Sequence, residues 1–183
     1  EGVFSKNIEM QEPTLYSLAL GNEYIIICPT IGEQISIKAS GSNFSGTYNI
    51  EGSLESELLK ELNKENYNVR LSLKSMSEEL SKADTAKLDS IRTSIIEKYT
   101  STKQYQEKIT SDFINKNLGS LTTLIALYRT FDGFALFDYN QSLEMHKKVL
   151  QGLKQTLPNN QHTLTLENFI AEKENAQKEN GTK

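Results

Sequence analysis

The chain has 183 residues, 37% of them hydrophobic, and this length fits one large domain or a domain with a helical appendage. Its formal net charge of −4 argues against a nucleic-acid-binding surface, because such a surface requires a basic patch. Its longest apolar run, Tyr24 to Cys28, is far shorter than the roughly 20 residues of a membrane-spanning helix, so no transmembrane segment is predicted.

Residues 1–52 predict a small antiparallel β-sheet at the N-terminus. Apolar and polar residues alternate there between turns marked by Gly and Pro, which is typical of half-buried strands. We predict strands at 1–10, 14–20, 24–28, 34–38 and 46–50, and a polar loop at 41–45. The strand at 24–28 is the most apolar, so we expect it in the centre of the sheet.

Residues 53–171 predict a helical bundle, because apolar residues recur there every three to four positions. Ser53 is the predicted N-cap of a long helix. The apolar stripe of this helix contains Leu58, Leu62, Val69, Leu73, Met76 and Leu80. A second long helix carries Leu88, Ile91, Ile95, Tyr99, Ile109 and Phe113. The two helices should pair as an antiparallel hairpin, and the fold class is therefore α+β.

The C-terminal part of the bundle is predicted as three shorter helices. The sequence Asn117-Leu118-Gly119 indicates a helix end, and a short apolar helix follows it. A further helix stops at Pro158, and the last one begins at about Thr163. Residues 172–183 are almost entirely polar, so we predict a polar linker, a tail or a solvated helix end there.

The single cysteine, Cys28, excludes an internal disulfide, a CxxC redox pair and a cysteine-based zinc site within this chain. Cys28 could be a reactive thiol. Burial as a small hydrophobic residue in a strand is the favoured interpretation, because no neighbouring cation in the sequence would lower its pKa. The chain also lacks a visible pairing of nucleophile and base, so we predict no catalytic residue and no enzymatic activity.

The remaining candidates for a site are two histidines and four aromatic residues. His146 and His162 have no HxxxH or HExxH spacing, so no metal site and no cofactor are predicted. A lone histidine such as His146 is usually a half-buried polar tip. A possible groove for a partner or ligand is lined by Phe131, Phe134, Phe137 and Tyr139. Core packing of a loop against the bundle is the favoured alternative for these four residues.

Several landmarks in the first 53 residues occur in a recognisable order. They are Glu1-Gly2-Val3-Phe4, Glu12-Pro13-Thr14-Leu15-Tyr16, Tyr24 to Pro29, Gly32 to Ile37 and Tyr48 to Ser53. This order resembles the N-terminal domain of unknown function that precedes the thioredoxin-like domain in envelope thiol-disulfide oxidoreductases of Bacteroides-type bacteria, in the TlpA/ResA group. The resemblance extends over essentially the whole chain, with Thr30-Ile31 as an insertion in one hairpin.

The resemblance implies a non-catalytic N-terminal module of a periplasmic or cell-envelope oxidoreductase. Its roles would be positioning, dimerisation or contact with substrate proteins, beside a thioredoxin-like domain expected downstream. The WCxxC motif of that domain does not occur in the chain, so the resemblance transfers no catalytic residue. A lipid anchor upstream of Glu1 is compatible with the family. The alternative function is a stand-alone envelope binding module for a peptide or small ligand.

Overall fold

The computed structural model describes residues 2–41, 43–84 and 87–180, except the side chain of residue 180. It has the predicted α+β class, with short strand pairs near the N-terminus followed by long helices. The strands are β1 (Tyr16–Leu20), β2 (Glu23–Ile27), β3 (Ser36–Lys38), β4 (Asn49–Glu51), β5 (Thr130–Phe131) and β6 (Phe134–Ala135). The helices are α1 (Phe44–Thr47), α2 (Leu54–Ser81), α3 (Leu88–Lys116), α4 (Thr122–Leu127), α5 (Leu143–Thr156) and α6 (Gln161–Asn180).

The strands are antiparallel, as predicted, but they form separate two-stranded pairs where a single sheet was expected. In the described ranges the pairs are β1 with β2, β3 with β4, and β5 with β6. Residues 2–10 form no strand and have no regular secondary structure, and most of them are exposed; Glu1 lies outside the described residues. The loop predicted at 41–45 contains the start of α1, where the Asn43 side chain accepts a hydrogen bond from the Gly46 backbone N–H.

The β1–β2 hairpin turns at Gly21, whose φ of 60° is easily adopted by glycine. Its register places Tyr16 opposite Ile27 and Leu20 opposite Glu23. Strand β2 was expected in the centre of a sheet, but β1 is its one strand partner among the described residues. Its buried side chains instead join a small core made by Ile25, Ile27, Phe44, Tyr48 and Ile50.

The strand-containing half is attached to the first turn of α2. Ser53 is the N-cap as predicted, and its Oγ accepts a hydrogen bond from the Ser56 backbone N–H at 3.4 Å. The same Oγ donates to the carbonyl oxygen of Cys28 at 3.3 Å. The Oγ of Ser56 accepts a hydrogen bond of 3.0 Å from the Cys28 backbone N–H. Gly52 is required at this junction, because its φ is +92° and a Cβ there would lie 2.1 Å from the Gln34 carbonyl oxygen.

Helices α2 and α3 form the predicted hairpin, but their buried faces differ from the predicted stripes. In α2, Leu59 replaces Leu58 as the fully buried residue, and Leu80 is 40% exposed. In α3, the predicted stripe is only half-buried, and the fully buried side chains are Gln106, Thr110 and Ile114. The reason is that α4 packs against both helices and covers this part of the hairpin.

The last three helices complete the main core, to which α5 contributes Val149 and Leu153 and α6 contributes Leu166 and Ile170. Helix α6 begins at Gln161 and continues to Asn180, so residues 172–180 are a solvated helix end. Residues 181–183 of the predicted tail lie outside the described residues. Within the described ranges, no helix combines the length and apolar character needed to cross a membrane.

Candidate functional site

Cys28 is a buried structural residue, as predicted. Its side chain is 1% exposed and belongs to the main core. Burial, with the charges of Glu55 and Glu33, raises the pKa of the Cys28 thiol from 9.0 to about 12. At pH 7 about one thiol in 10⁵ would therefore be ionised, and the thiolate is the reactive form in thiol-disulfide exchange. The thiol is thus unsuited to nucleophilic or redox chemistry.

The two histidines have different surroundings. His146 is 2% exposed, so the half-buried placement was wrong. Its Nδ1 lies 2.9 Å from the Ser142 carbonyl oxygen, and its ring packs edge-on against Tyr139 at 5.3 Å. Nε2 of His162 lies 3.0 Å from Oγ1 of Thr14. Across the described residues, no cluster of three or more His, Cys, Asp or Glu side chains could hold a metal ion.

The four aromatic candidates do not share one surface. Phe131, Phe137 and Tyr139 are buried, which agrees with core packing, whereas Phe134 is 75% exposed on strand β6. Tyr139 packs against His146 and Phe169. Phe131 packs edge-on against Tyr99 of α3, with ring centroids 5.0 Å apart. Of the four, only Phe131 lines the groove that is described next.

A groove of about 360 Å³ lies between α2, α3 and the β5–β6 hairpin. The hairpin turns at Asp132 and Gly133, whose φ angles of 50° and 83° both lie in the left-handed region that a type I′ turn needs. The Tyr99 hydroxyl donates a 3.1 Å hydrogen bond to Asp132 Oδ2, which ties the hairpin to α3. The apolar part of the groove is formed by Val69, Leu73 and Phe131. The polar and charged part includes Asn66, Arg70, Gln106 and Asp132.

Gln106 is the most unusual residue of the groove wall. It is 1% exposed, and its Nε2 donates a hydrogen bond of 2.9 Å to Asn66 Oδ1. Its Oε1 is buried and has no hydrogen-bond partner among the described residues. A buried polar atom without a partner costs about 1–3 kcal/mol, so natural proteins rarely leave one unsatisfied. Gln106 therefore lines the groove and has an unused, buried hydrogen-bonding group.

Arg129 lies next to the groove residue Thr130 and is a buried cation. It is 8% exposed, and its Nη2 donates to Asn63 Oδ1 at 3.1 Å. Its Nε and Nη1 have no hydrogen-bond partner among the described residues. No carboxylate of a described residue forms an ion pair with the guanidinium. Burial lowers the pKa of Arg129 to about 10, which still leaves it protonated at pH 7. Arg129 is not among the residues that line the groove, so its charge belongs to the interior beside Asn63.

A second pocket of about 300 Å³ lies further along the α2–α3 hairpin. Its charged residues, Lys98 and Glu79, form an ion pair of 2.8 Å with each other. Their charges therefore need no ligand, in contrast to the groups of the groove.

Two signals in the sequence could have located the groove. Asp132-Gly133 is a strong signal for a two-residue hairpin turn, but the aromatic residues around it were interpreted as a loop. Asn66 lies between Leu62 and Val69 at a position where the apolar stripe of α2 would be expected to continue. A polar residue at such a position is expected to face the interior and to need a partner.

No protein-family model, no curated protein and no solved structure matches the chain. A function must therefore be argued from the chain's own residues. Two features of the described residues have functional content, namely the hydrogen-bonded junction that encloses Cys28 and the groove with an unused polar group at Gln106.

Proposed function

We propose that this chain is a non-catalytic N-terminal module of an envelope thiol-disulfide oxidoreductase. It would act in the periplasm or cell envelope by positioning, by dimerisation or by contact with substrate proteins. The observation that carries the proposal is the junction in which Ser53 and Ser56 hydrogen-bond to the backbone of Cys28. A thioredoxin-like domain would supply the redox chemistry.

The junction supports the family resemblance because it joins two of the landmarks on which the resemblance rests. Cys28-Pro29 ends one landmark, and Gly52-Ser53 ends another. In the structure these segments meet through the Ser53–Cys28 hydrogen bond, and only glycine fits at position 52 without a collision. The residues of these landmarks are therefore those that fix the strand-containing half to the bundle.

The state of Cys28 supports a non-catalytic role. Thiol-disulfide exchange requires a thiolate that a disulfide sulfur can reach. Cys28 is buried, and its pKa of about 12 keeps the thiol protonated. We expect the purified chain to reduce insulin with dithiothreitol no faster than the background. Activity above background that disappears in Cys28→Ser would contradict a non-catalytic module.

The proposal is tested most directly by reading the coding sequence past Lys183. A WCxxC motif within about 60 residues would support an oxidoreductase with this chain as its N-terminal module. A stop codon directly after Lys183 would contradict the expected downstream domain. That outcome would favour the second candidate function.

The second candidate is a stand-alone envelope binding module for a peptide or small ligand. The observation that favours it is the groove beside β5–β6, in which Gln106 offers an unpartnered buried Oε1 next to an apolar wall. A concave apolar surface with a few polar groups is the usual form of a ligand site. Saturable binding at this groove would support a binding role, whether or not a redox domain follows.

A further inference from the structure

We propose that the groove between α2, α3 and the β5–β6 hairpin binds the C-terminal end of a short peptide with an apolar last residue. The proposal rests on the binding role suggested above and specifies the ligand class. Three features of the groove carry it, namely the amide of Gln106, the cation Arg70 and the apolar wall around Phe131.

The amide of Gln106 matches a peptide group. Its Nε2 is engaged by Asn66 at 2.9 Å, and its Oε1 can accept one further hydrogen bond. A peptide N–H would satisfy this acceptor. If the amide were turned the other way, its free NH₂ would instead find the peptide carbonyl, because each peptide unit presents both a donor and an acceptor.

Arg70 makes the α2 side of the groove favourable for a carboxylate. Arg70 lines the groove, and no carboxylate of a described residue lies within ion-pair distance of it. Its charge acts at longer range on Glu23, where it helps to lower the pKa of that carboxyl group. The carboxylate of the groove, Asp132, lies on the hairpin, where it already accepts a hydrogen bond from Tyr99. A terminal carboxylate is therefore expected near Arg70, away from Asp132.

The apolar wall and the size of the groove fit a short segment. Val69 is buried, Leu73 is half-buried and Phe131 is 3% exposed, so an apolar side chain laid on this wall would lose contact with water. A volume of about 360 Å³ lies near the lower end of ligand sites and suits two or three residues. Leucine is a suitable last residue for a probe.

The test compares acetyl-Ala-Ala-Leu with a free carboxylate and the same tripeptide as its C-terminal amide, by calorimetric or NMR titration. We expect the acid to bind at least about 10-fold more tightly than the amide, a difference of about 1.4 kcal/mol. Acetate alone at equal ionic strength should bind more weakly still, because it lacks the peptide group and the apolar side chain.

Arg70→Met is the first test variant, because Arg70 is exposed and its replacement should leave the fold intact. We expect it to weaken binding of the acid about 10-fold and to leave the amide unaffected. Arg92→Met is the matched control, since Arg92 is an exposed arginine of α3 that pairs with Asp89 at 3.8 Å, outside the groove. Equal effects of the two substitutions would overturn the proposal.

Gln106→Leu tests the peptide contact, and its melting temperature must first show that it folds. We expect binding of acid and amide to weaken by a similar factor, because both contain the same peptide N–H groups. If the acid and the amide bound to the wild type with equal affinity, the inferred recognition of the terminal carboxylate would be overturned. A binding role for the groove would remain. No saturation by either peptide at about 10 mM would overturn the peptide ligand itself. The oxidoreductase proposal fails on different measurements, those of insulin reduction and of the coding sequence past Lys183.

Discussion

The Oγ atom of Ser56 accepts a hydrogen bond of 3.0 Å from the backbone N–H of Cys28. Both residues are 1% exposed, and they lie 28 positions apart. The bond occurs where the chain leaves β2, so the first turn of α2 satisfies a backbone donor that would otherwise be buried without a partner. This contact connects the strand-containing half to the helical half.

Replacing Ser56 with alanine should therefore destabilise the whole domain. The Cys28 N–H would lose its acceptor in a place without water, and we expect a cost of about 1–3 kcal/mol in the free energy of unfolding. Ser72→Ala is the control, because Ser72 is an exposed serine of α2 that bonds to the Asn68 carbonyl oxygen of its own helix. It should change stability by less than about 0.5 kcal/mol. Urea denaturation measures both, and equal effects would show that the junction contributes nothing.

The pKa of Cys28 predicts how stability depends on pH. The thiol titrates near 9 in an unfolded chain and at about 12 in the native protein. The contribution of the protonated thiol to the free energy of unfolding is fully present below pH 9. It is lost between pH 9 and 12, because the thiol ionises there only in the unfolded state. The loss should be at most about 1.4 kcal/mol per pH unit.

Cys28→Ala isolates this effect, since it keeps every tyrosine and lysine that titrates in the same range. The free energy of unfolding of the wild type should fall more steeply than that of the variant between pH 9 and 10.5, as measured by urea denaturation. Parallel curves for the two proteins would mean that the thiol is accessible in the native state. Rapid labelling of the native protein by a thiol reagent would indicate the same.

The order of the elements could be predicted because it depends on local periodicity. Alternation in the first 52 residues and the longer period after Ser53 define the two halves, and Ser53 caps α2 as expected. Pairing between strands depends on contacts that the pattern does not contain. The chain therefore forms separate strand pairs where one sheet was expected.

The groove could not be predicted for a similar reason. Gln106 and Asn66 meet across 40 residues, and Arg129 and Asn63 meet across 66. A stripe pattern assigns each helix its buried face from apolar residues alone. It therefore passes over an interior position that is occupied by glutamine or threonine, as at Gln106 and Thr110 of α3.

The revised packing of α3 gives a direct test. Ile114 is 0% exposed, whereas Ile96 on the same helix is 65% exposed. Ile114→Ala should lower the free energy of unfolding by about 2–5 kcal/mol, because it removes buried apolar surface and leaves a cavity. Ile96→Ala should cost less than about 0.5 kcal/mol. Leu73 and Ile95 are half-buried, so the loss in the free energy of unfolding for Leu73→Ala and for Ile95→Ala should lie between these two values. Guanidinium denaturation gives all four values, and a large loss at Ile96 would place the packed face elsewhere.

The last prediction concerns the end of α6, whose described side chains from Glu174 onwards are mostly exposed. Glu174 forms an ion pair of 2.8 Å with Lys147, and the two side chains are 35% and 42% exposed. Gln177 donates a hydrogen bond of 3.4 Å to Asn140. Exposed ion pairs contribute about 0–1 kcal/mol, so removal of residues 174–183 should lower the melting temperature by less than about 4 °C.

A longer truncation is the control for this end of α6. Removing residues 168–183 also deletes Phe169, which packs on Tyr139 with centroids 5.4 Å apart, and Ile170, which is 5% exposed. Loss of the buried Ile170 and the half-buried Phe169 should destabilise the domain by several kcal/mol, because each large apolar side chain removed from a core costs about 2–5 kcal/mol. Calorimetry of the two truncations against the full chain makes the comparison. If the short truncation were as harmful as the long one, the polar end of α6 would be part of the cooperative fold, and this exposed ion pair and this hydrogen bond could not account for that loss.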